Sequence, residues 1–325
     1  MNDRRTIVIL GPTAGGKSEL AVALAEQLDG EVLGADSMQV YRHLDAGTAK
    51  PEPELRGRVP HHLIDIVEPT DRFTAADWLE RARTTIADLH ARGKRAIVVG
   101  GTNLYLKLLL EGMFDAPAPG TPGESPAFRA TLEPIAAADL HARLQQVDPV
   151  AADRIHLNDR KRLVRALEVH HLTGQPISTL QTQWGQAQNA KLETRNFTLV
   201  GLDWPREAIN QRINQRVKVM FAPDVGEPLP DEVRRLEADG LLGPQAREAL
   251  GYKQVLAALA AEQGNAIDRR IHTMDDAFEQ TKVLTRRFAK QQRTWLRRYE
   301  NVHWLPATEL TMSALTERAL AASRQ

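Results

Sequence analysis

The stretch GPTAGGKSEL, Gly11 to Leu20, decides the fold. It fits the pattern G-x-x-x-x-G-K-[ST] at every fixed position, with the apolar run TIVIL (6–10) before it and an alanine-rich, helix-like segment after it. Strand, glycine loop and helix in that order form a phosphate cradle. Gly11, Gly15 and Gly16 let the backbone turn its N–H groups inward, and Lys17 adds a point charge. The helix N-terminus favours an anion, and the Ser18 hydroxyl can reach a magnesium ion directly or through water. The motif leaves open which phosphate is held.

Working outward, EVLGA (31–35), RAIVVG (95–100) and FTLVGL (197–202) repeat the continuous apolar character of TIVIL, with VHWL (302–305) as a candidate fifth strand. Such runs mark strands buried on both faces. Helix-like segments between them predict an α/β fold: a phosphate-loop NTPase-like, doubly wound parallel sheet. Ligands in such sheets bind beyond the carboxyl ends of the strands. The turns GPTAGGKS, DSMQVY (36–41) and GGTNLY (100–105) are therefore expected to converge on one crevice.

Asp36 ends the second strand. It could hold Mg²⁺, act as a general base, or cap the helix that follows, and spacing alone does not separate the three. Gly100 and Gly101 clear space at a strand end. Thr102 offers a hydroxyl toward the crevice or serves as an N-cap.

The segment APAPGTPGESP (116–126) reads as a linker, and 127–185 reads as helical. The expected division is a core of 1–115 and 196–325 with a helical insertion over 116–195. The insertion carries NDRKRLVRALEVHH, whose basic cluster reads as a solvated helix face. His61 and His62 in VPHHLIDI read as structural loop residues, and no zinc site is expected.

The strongest charge feature is KVLTRRFAKQQRTWLRR (282–298), with seven basic residues and no acid. Arg286, Lys290, Arg293 and Arg297 share one helical stripe, and Leu284, Phe288 and Trp295 form the stripe expected to face the core. Like charges at i,i+4 repel, so an uncompensated stripe points to a polyanion partner, with a plain solvated face as the alternative.

The bulk properties narrow the classes. The formal charge is zero, so only a local patch attracts a polyanion. There are no cysteines, which excludes disulfides, cysteine nucleophiles and cysteine-ligated zinc fingers. No apolar run approaches the roughly 20 residues of a membrane helix. The start MNDRRTIVIL does not look like a signal peptide, so a cytoplasmic protein is expected, and nothing points to a stable oligomer.

From the residues alone, three readings stand. One is a metabolite kinase with a helical lid. One is an enzyme that holds a diphosphate and acts on a nucleic acid, which also uses the basic helix. The third is an ATP-driven RNA switch, which lacks the apolar strand ending in adjacent acids that motor-type ATPases pair with their loop.

The chain resembles the bacterial tRNA dimethylallyltransferase (tRNA isopentenyltransferase) family. The matching stretches are GPTAGGKS (11–18), DSMQVY (36–41), VPHHLIDI (59–66), FTAADW (73–78), VGGTNLYLKLLLEG (99–112), NDRKRLVRALEV (158–169), QRINQRVKVM (211–220), EALGYKQ (248–254) and AKQQRTWLRR (289–298). The resemblance implies transfer of a dimethylallyl group from dimethylallyl diphosphate to N6 of adenosine 37, just 3′ of the anticodon. The implied substrates are tRNAs reading codons that begin with U. The phosphate loop, Gly11, Pro12, Thr13, Ala14, Gly15, Gly16, Lys17 and Ser18, would then cradle the diphosphate, helped by Arg212, Arg216 and Mg²⁺. Asp36 would be the base, and Thr102 would bond the bridging oxygen. Ser37, Met38 and Gln39 would contact the target region of the anticodon stem-loop. Arg129, Lys161, Arg162 and Arg165 would contact tRNA from the insertion. Gly251, Tyr252 and Lys253 would lie near the RNA, with Lys290 and Arg293 binding its phosphates. No membrane and no obligate protein partner are implied, and a monomer is expected.

Three features depart from the family pattern. Gly15 stands where Ser is usual, and Asn103 stands where Gly is common, a position Asn would suit if it needs positive φ. MFAPDVGEPLPDEV (220–233) carries three prolines and lacks the usual GL-x-x-E spacing.

Overall fold

The computed structural model describes residues 5–112, 124–182, 197–222, 224 and 226–324. The Pro/Gly-rich residues 116–123 lie outside them. The chain divides into two compact units, Met1–Leu108 with Arg195–Gln325, and Leu109–Thr194.

The larger unit is built on β1 (Thr6–Leu10), β2 (Gly30–Ala35), β3 (His61–His62), β4 (Arg95–Gly100), β5 (Phe197–Asp203) and β6 (Val302–Pro306). All pairings are parallel, in the order β3-β2-β4-β1-β5-β6. The α/β parallel sheet expected from the apolar runs is thus borne out. TIVIL is central because every residue is buried, with Val8 paired to Val98 on one side and Leu199 on the other. The VHWL run becomes β6, with Leu202 opposite Leu305.

Strand β3 corrects the loop expected at His61 and His62. Its two residues pair with Val32 and Leu33 at the sheet edge. The His62 ring nitrogen lies 2.7 Å from buried Glu31, which also takes a bidentate contact from Arg92. The Arg92 hydrogen bond prevails over burial and, with His62, holds the Glu31 carboxyl at about 2. A two-residue strand carries too little periodicity to be read from sequence.

Helix α1 (Lys17–Leu28) buries Leu20, Ala21, Val22, Leu24 and Ala25 in one cluster with Ile7, Ile9, Val200, Leu305 and Leu315. Helix α2 (Pro53–Arg56) is a single turn, and α3 (Ala75–Ala91) opens with a Thr74/Asp77 capping box. The α3 residue Trp78 is fully buried and donates from its indole to the Gly34 carbonyl at 2.9 Å, pinning the end of β2. Helix α4 (Asn103–Glu111) starts at Asn103, which has no positive φ. The departure from glycine there therefore needs no left-handed backbone.

The smaller unit contains α5 (Glu124–Leu132), α6 (Ala137–Val147), α7 (Pro149–Arg154), α8 (Arg160–Thr173) and α9 (Ile177–Thr182). Leu140, Leu144, Leu163, Leu167 and Leu180 form its core. Buried Asp148 joins two elements by accepting from Ala151 N at 2.9 Å and Ser178 N at 2.8 Å.

Back in the larger unit, α10 (Arg206–Phe221) is followed by α11 (Leu229–Ala238), α12 (Tyr252–Glu262), the long α13 (Met274–Leu296) and α14 (Met312–Ala322). Of the prolines in 220–233, Pro228 is the N-cap of α11 and Pro230 sits in its first turn, where a missing N–H breaks no helical bond; Pro223 lies outside the described residues. A Thr273/Asp276 capping box opens α13. Its buried residues are Ala277, Thr281, Ala289, Gln292 and Leu296, whereas Leu284, Phe288 and Trp295 are half-buried. The expected core stripe is thus rotated by about one residue. Small side chains let the helix approach closely, and Gln292 turns inward to meet two backbone groups.

Candidate active site

The carboxyl ends of β1, β2 and β4 open on one crevice of about 720 Å³. Thr13 to Ser18, Asp36, Gln39, Gly100, Gly101, Arg212, Arg216 and Gln292 all line it. That volume suits a small ligand. The three turns singled out in the sequence converge there.

The phosphate loop is held from several sides. Gly11 and Gly16 take φ of 157° and 79°, and Ala14 sits at 60°, in the left-handed region. The Lys17 ammonium donates to the Pro12 carbonyl at 2.7 Å. Burial, followed by the nearby Arg216 charge, lowers the Lys17 ammonium to about 8, and Asp36 acts in the opposite direction. Burial also lowers Arg216, which donates to the Thr13 hydroxyl at 3.2 Å. Arg212 Nε donates to the Ala14 carbonyl at 2.7 Å. Three cationic side chains thus crowd one glycine-rich loop. That arrangement favours an anion, because each cation destabilises its neighbours until opposite charge arrives. The Ser18 hydroxyl has no protein partner among the described residues.

Facing the loop, Asp36 Oδ1 accepts from Met38 N at 2.9 Å and Gln39 N at 3.3 Å. One carboxylate oxygen thus caps its own turn, and the other has no hydrogen-bond partner among the described residues. The cap reading and the chemical readings of Asp36 are compatible, one per oxygen. Thr102 Oγ1 accepts from Ser37 N at 2.9 Å, which ties the second turn to the third. A Cβ at Gly100 would lie 2.2 Å from the Ala35 carbonyl oxygen, so glycine is required for this close approach. Gln39 donates to the Thr48 and Ala49 carbonyls at 3.0 and 3.1 Å and braces the crevice wall.

Residues not anticipated from sequence complete the frame. Buried Gln292 accepts from Thr13 N at 2.8 Å and donates to the Gly101 carbonyl at 2.7 Å. It ties the phosphate loop to the turn that carries Thr102. Lys50 reaches the Tyr41 carbonyl, Asp45 and Asp65 at 2.7, 2.7 and 2.5 Å and fixes the segment between β2 and β3. A buried Gln and a buried Lys have no sequence signature beyond their type. Only the fold reveals their partners.

The basic helix α13 lines a second groove of about 600 Å³ with α10. Arg206, Arg286, Arg287, Lys290, Arg293 and Arg297 line it without any acid. Arg293 Nε is buried and without a partner among the described residues. Arg206 comes from a different helix and was not part of the stripe read in the sequence. Gln292 and this groove share α13, so one rigid element joins the anion cradle to a polycationic surface.

The remaining expected contacts are distributed differently. Tyr252 is fully buried and its hydroxyl bonds Glu232, so it supports the fold and offers no surface to RNA. Gly251 takes φ of 92°, and its N–H donates to buried Gln254 at 2.8 Å. Lys253 pairs with Glu248 at 3.1 Å. In the helical unit, Arg162 is exposed and lies 3.3 Å from Asp159. Arg129 and Arg165 both bind the fully buried carboxylate of Glu168, at 2.5 and 2.6 Å. Burial opposes ionisation of Glu168, yet hydrogen bonds from Arg129, Ser125 and Arg165 outweigh it and hold the carboxyl at about 2. These two arginines therefore carry a structural load besides any contact with RNA. Lys161 lies in the first turn of the same helix α8 and is exposed.

Among the described residues, no group of three or more His, Cys, Asp or Glu is arranged to hold a metal. No helix of the described residues is long and apolar enough to cross a membrane.

Comparison with known proteins agrees with this geometry. The family model described as IPP transferase matches residues 39–299. The chain is 46% identical over 311 residues to a tRNA dimethylallyltransferase of Geobacter sulfurreducens, covering 93% of this chain and 91% of that one. It is 39% identical over 308 residues to the tRNA dimethylallyltransferase of Anoxybacillus flavithermus, covering 95% and 92%. The crystal structure of a tRNA delta(2)-isopentenylpyrophosphate transferase from Staphylococcus epidermidis superposes with a TM-score of 0.66 at 33% identity, covering 97% of each chain. A eukaryotic dimethylallyltransferase acting on tRNA superposes with a TM-score of 0.79 at 27% identity, covering 99% of this chain and 79% of that one. With a glycine-lined anion cradle, a facing carboxylate and a matched family model over most of its length, the chain belongs to the IPP transferase family.

Proposed function

We propose that this protein transfers a dimethylallyl group from dimethylallyl diphosphate to N6 of adenosine 37 in tRNAs reading codons that begin with U, releasing diphosphate. The observation that carries the reading is the crevice in which the cationic phosphate loop faces Asp36, with Thr102 bonded to the turn that carries this carboxylate.

An exocyclic adenine amine is a weak nucleophile, because its lone pair is delocalised into the ring. The allylic C1–O bond must therefore break substantially as the N6–C1 bond forms. The bonding electrons leave with the diphosphate. Lys17, Arg212, Arg216 and the loop N–H groups stand where that charge grows, which is where preorganised donors lower a barrier most. Thr102 accepts from Ser37 N, and its own proton, which reaches only a long 3.4 Å contact with Ser37 Oγ, would turn to the bridging oxygen. The N6 proton passes to the Asp36 oxygen that does not cap the turn. A positioned base of this kind contributes about 10²–10⁴-fold in rate.

Mg²⁺ fits this crevice. A magnesium ion is commonly held by one or two protein oxygens, substrate phosphates and water. The free Ser18 hydroxyl and the absence of a larger carboxylate cluster among the described residues suit that mode. Ser18 would hold it, and bound Mg²⁺ would neutralise part of the diphosphate charge.

For the acceptor, the base leaves its stack to reach the crevice. Gln39 lines the crevice and Ser37 and Met38 stand on the same turn, the contacts proposed for the acceptor region; Lys290 and Arg293 of the basic groove take backbone phosphates. Lys161 and Arg162, together with the outer edges of Arg129 and Arg165, supply further contacts from the helical unit. Exposed Lys253 lies beside the RNA, whereas Gly251, buried like Tyr252, shapes the turn behind it. We read the protein as a cytoplasmic monomer without an obligate protein partner.

The test uses purified protein, unmodified tRNA and dimethylallyl diphosphate, with nucleoside analysis of the product. The expected product is N6-dimethylallyl adenosine at position 37, lost in Asp36→Asn while tRNA binding stays within a few-fold. Normal turnover by that variant would remove Asp36 as the base. Turnover of ATP with a small alcohol would replace the whole reading by a kinase.

A further inference from the structure

Trp204 immediately follows β5, and Pro205 after it opens α10, so the backbone on both sides fixes where the indole can lie. The side chain is buried at 9% exposure and does not line the crevice. Its Nε1–H donates to the Gly15 carbonyl at 3.0 Å. A Cβ at Gly15 would lie 3.3 Å from the same nitrogen and 2.8 Å from the Pro12 carbonyl oxygen, so the indole packs directly on the loop. On its face sits the Arg212 guanidinium, 4.8 Å from the ring centre. Arg212 in turn donates to the Ala14 carbonyl at 2.7 Å. Two consecutive loop carbonyls are thus held from behind by one stacked pair. The first belongs to Ala14, a non-glycine residue at φ of 60° that needs such support.

The geometry of the peptide unit supplies the consequence. In a trans peptide the carbonyl and the following N–H point in opposite directions. Anchoring the Gly15 carbonyl on Trp204 therefore turns the Gly16 N–H away from the indole. Gly16 lines the crevice and Trp204 does not. We infer that Trp204 is a positioning residue of the anion cradle: without touching the ligand, it sets the Gly15–Gly16 peptide and with it the affinity for diphosphate. This rests on the diphosphate reading above.

The variant Trp204→Phe keeps a ring beneath Arg212 and deletes the donor. Titration of inorganic pyrophosphate into the full chain should show affinity about fivefold weaker than wild type, the scale of one neutral hydrogen bond. KM for dimethylallyl diphosphate should rise by a similar factor, with kcat and the tRNA affinity close to wild type. A role confined to packing would lower the melting temperature and leave the pyrophosphate affinity unchanged. Equal pyrophosphate affinities in the two proteins, or a parallel loss of pyrophosphate and tRNA binding, would overturn the inference while leaving the diphosphate reading in place. Absence of pyrophosphate binding by the wild-type protein would remove both.

Discussion

Raising the pH through 8 should loosen the hold on the donor. In the free protein, burial and then Arg216 bring Lys17 from 10.5 to about 8. An anion bound beside the ammonium favours its charged form and lifts that value again. Between the two values binding takes up a proton, so affinity falls as the pH rises. With a free value of about 8, the charged fraction is about 0.9 at pH 7 and about 0.1 at pH 9, so KM should rise about tenfold across that interval. The terminal phosphate of the donor, with a last ionisation near about 6, contributes little change in the same window. The assay is KM for dimethylallyl diphosphate at saturating tRNA from about pH 7 to 9.5, with Lys17→Arg run in parallel. The guanidinium stays charged throughout, so that variant should give a flat profile whatever its absolute KM. A flat wild-type profile, or a rise shared by the arginine variant, would refute the argument.

Other consequences are accessible to standard measurements. Gln292→Leu leaves the Thr13 N–H and the Gly101 carbonyl without their partner, and urea denaturation should show a loss of about 2–5 kcal/mol; a loss below ~1 kcal/mol would deny the bridge. The Arg286→Gln, Lys290→Gln double variant should lower the slope of log tRNA affinity against log salt by about 1–2 without moving the donor KM; an unchanged slope would take RNA out of that groove. Glu168 is about 2 in the folded chain against 4.5 ordinarily, so it contributes stability above pH 4.5 that is lost as the pH falls toward 2. At about 1.4 kcal/mol per pH unit that contribution is about 3 kcal/mol, and Glu168→Gln should flatten the acid limb of the melting curve. An acid limb unchanged by that variant would place the titration elsewhere.

Much of the crevice could be read from residue types. Continuous Val/Ile/Leu runs marked the central strands because both faces of a parallel sheet are covered, and glycine turns marked their carboxyl ends. The long basic run marked α13, but not its rotation. Hydrophobicity pointed Leu284, Phe288 and Trp295 inward, whereas the close packing of Ala277, Thr281 and Ala289 and the two hydrogen bonds of Gln292 turned the helix. Tyr252 and Arg129 sit in motifs that read as RNA-facing, yet their partners Glu232 and Glu168 lie 20 and 39 residues away in the chain. Trp204 and Lys50 were silent for the same reason. A side chain that bonds distant backbone has no local pattern to betray it.

The central claim is that the phosphate loop grips a departing diphosphate while an RNA base supplies the nucleophile. Its most direct measurement is the ratio of pyrophosphate released to adenosine modified, in one reaction containing tRNA and dimethylallyl diphosphate. Release should be one-to-one, should stop when tRNA is withheld, and should not be supported by ATP in place of dimethylallyl diphosphate. Phosphate or ADP formed from ATP, with no change in the adenosine, would contradict it.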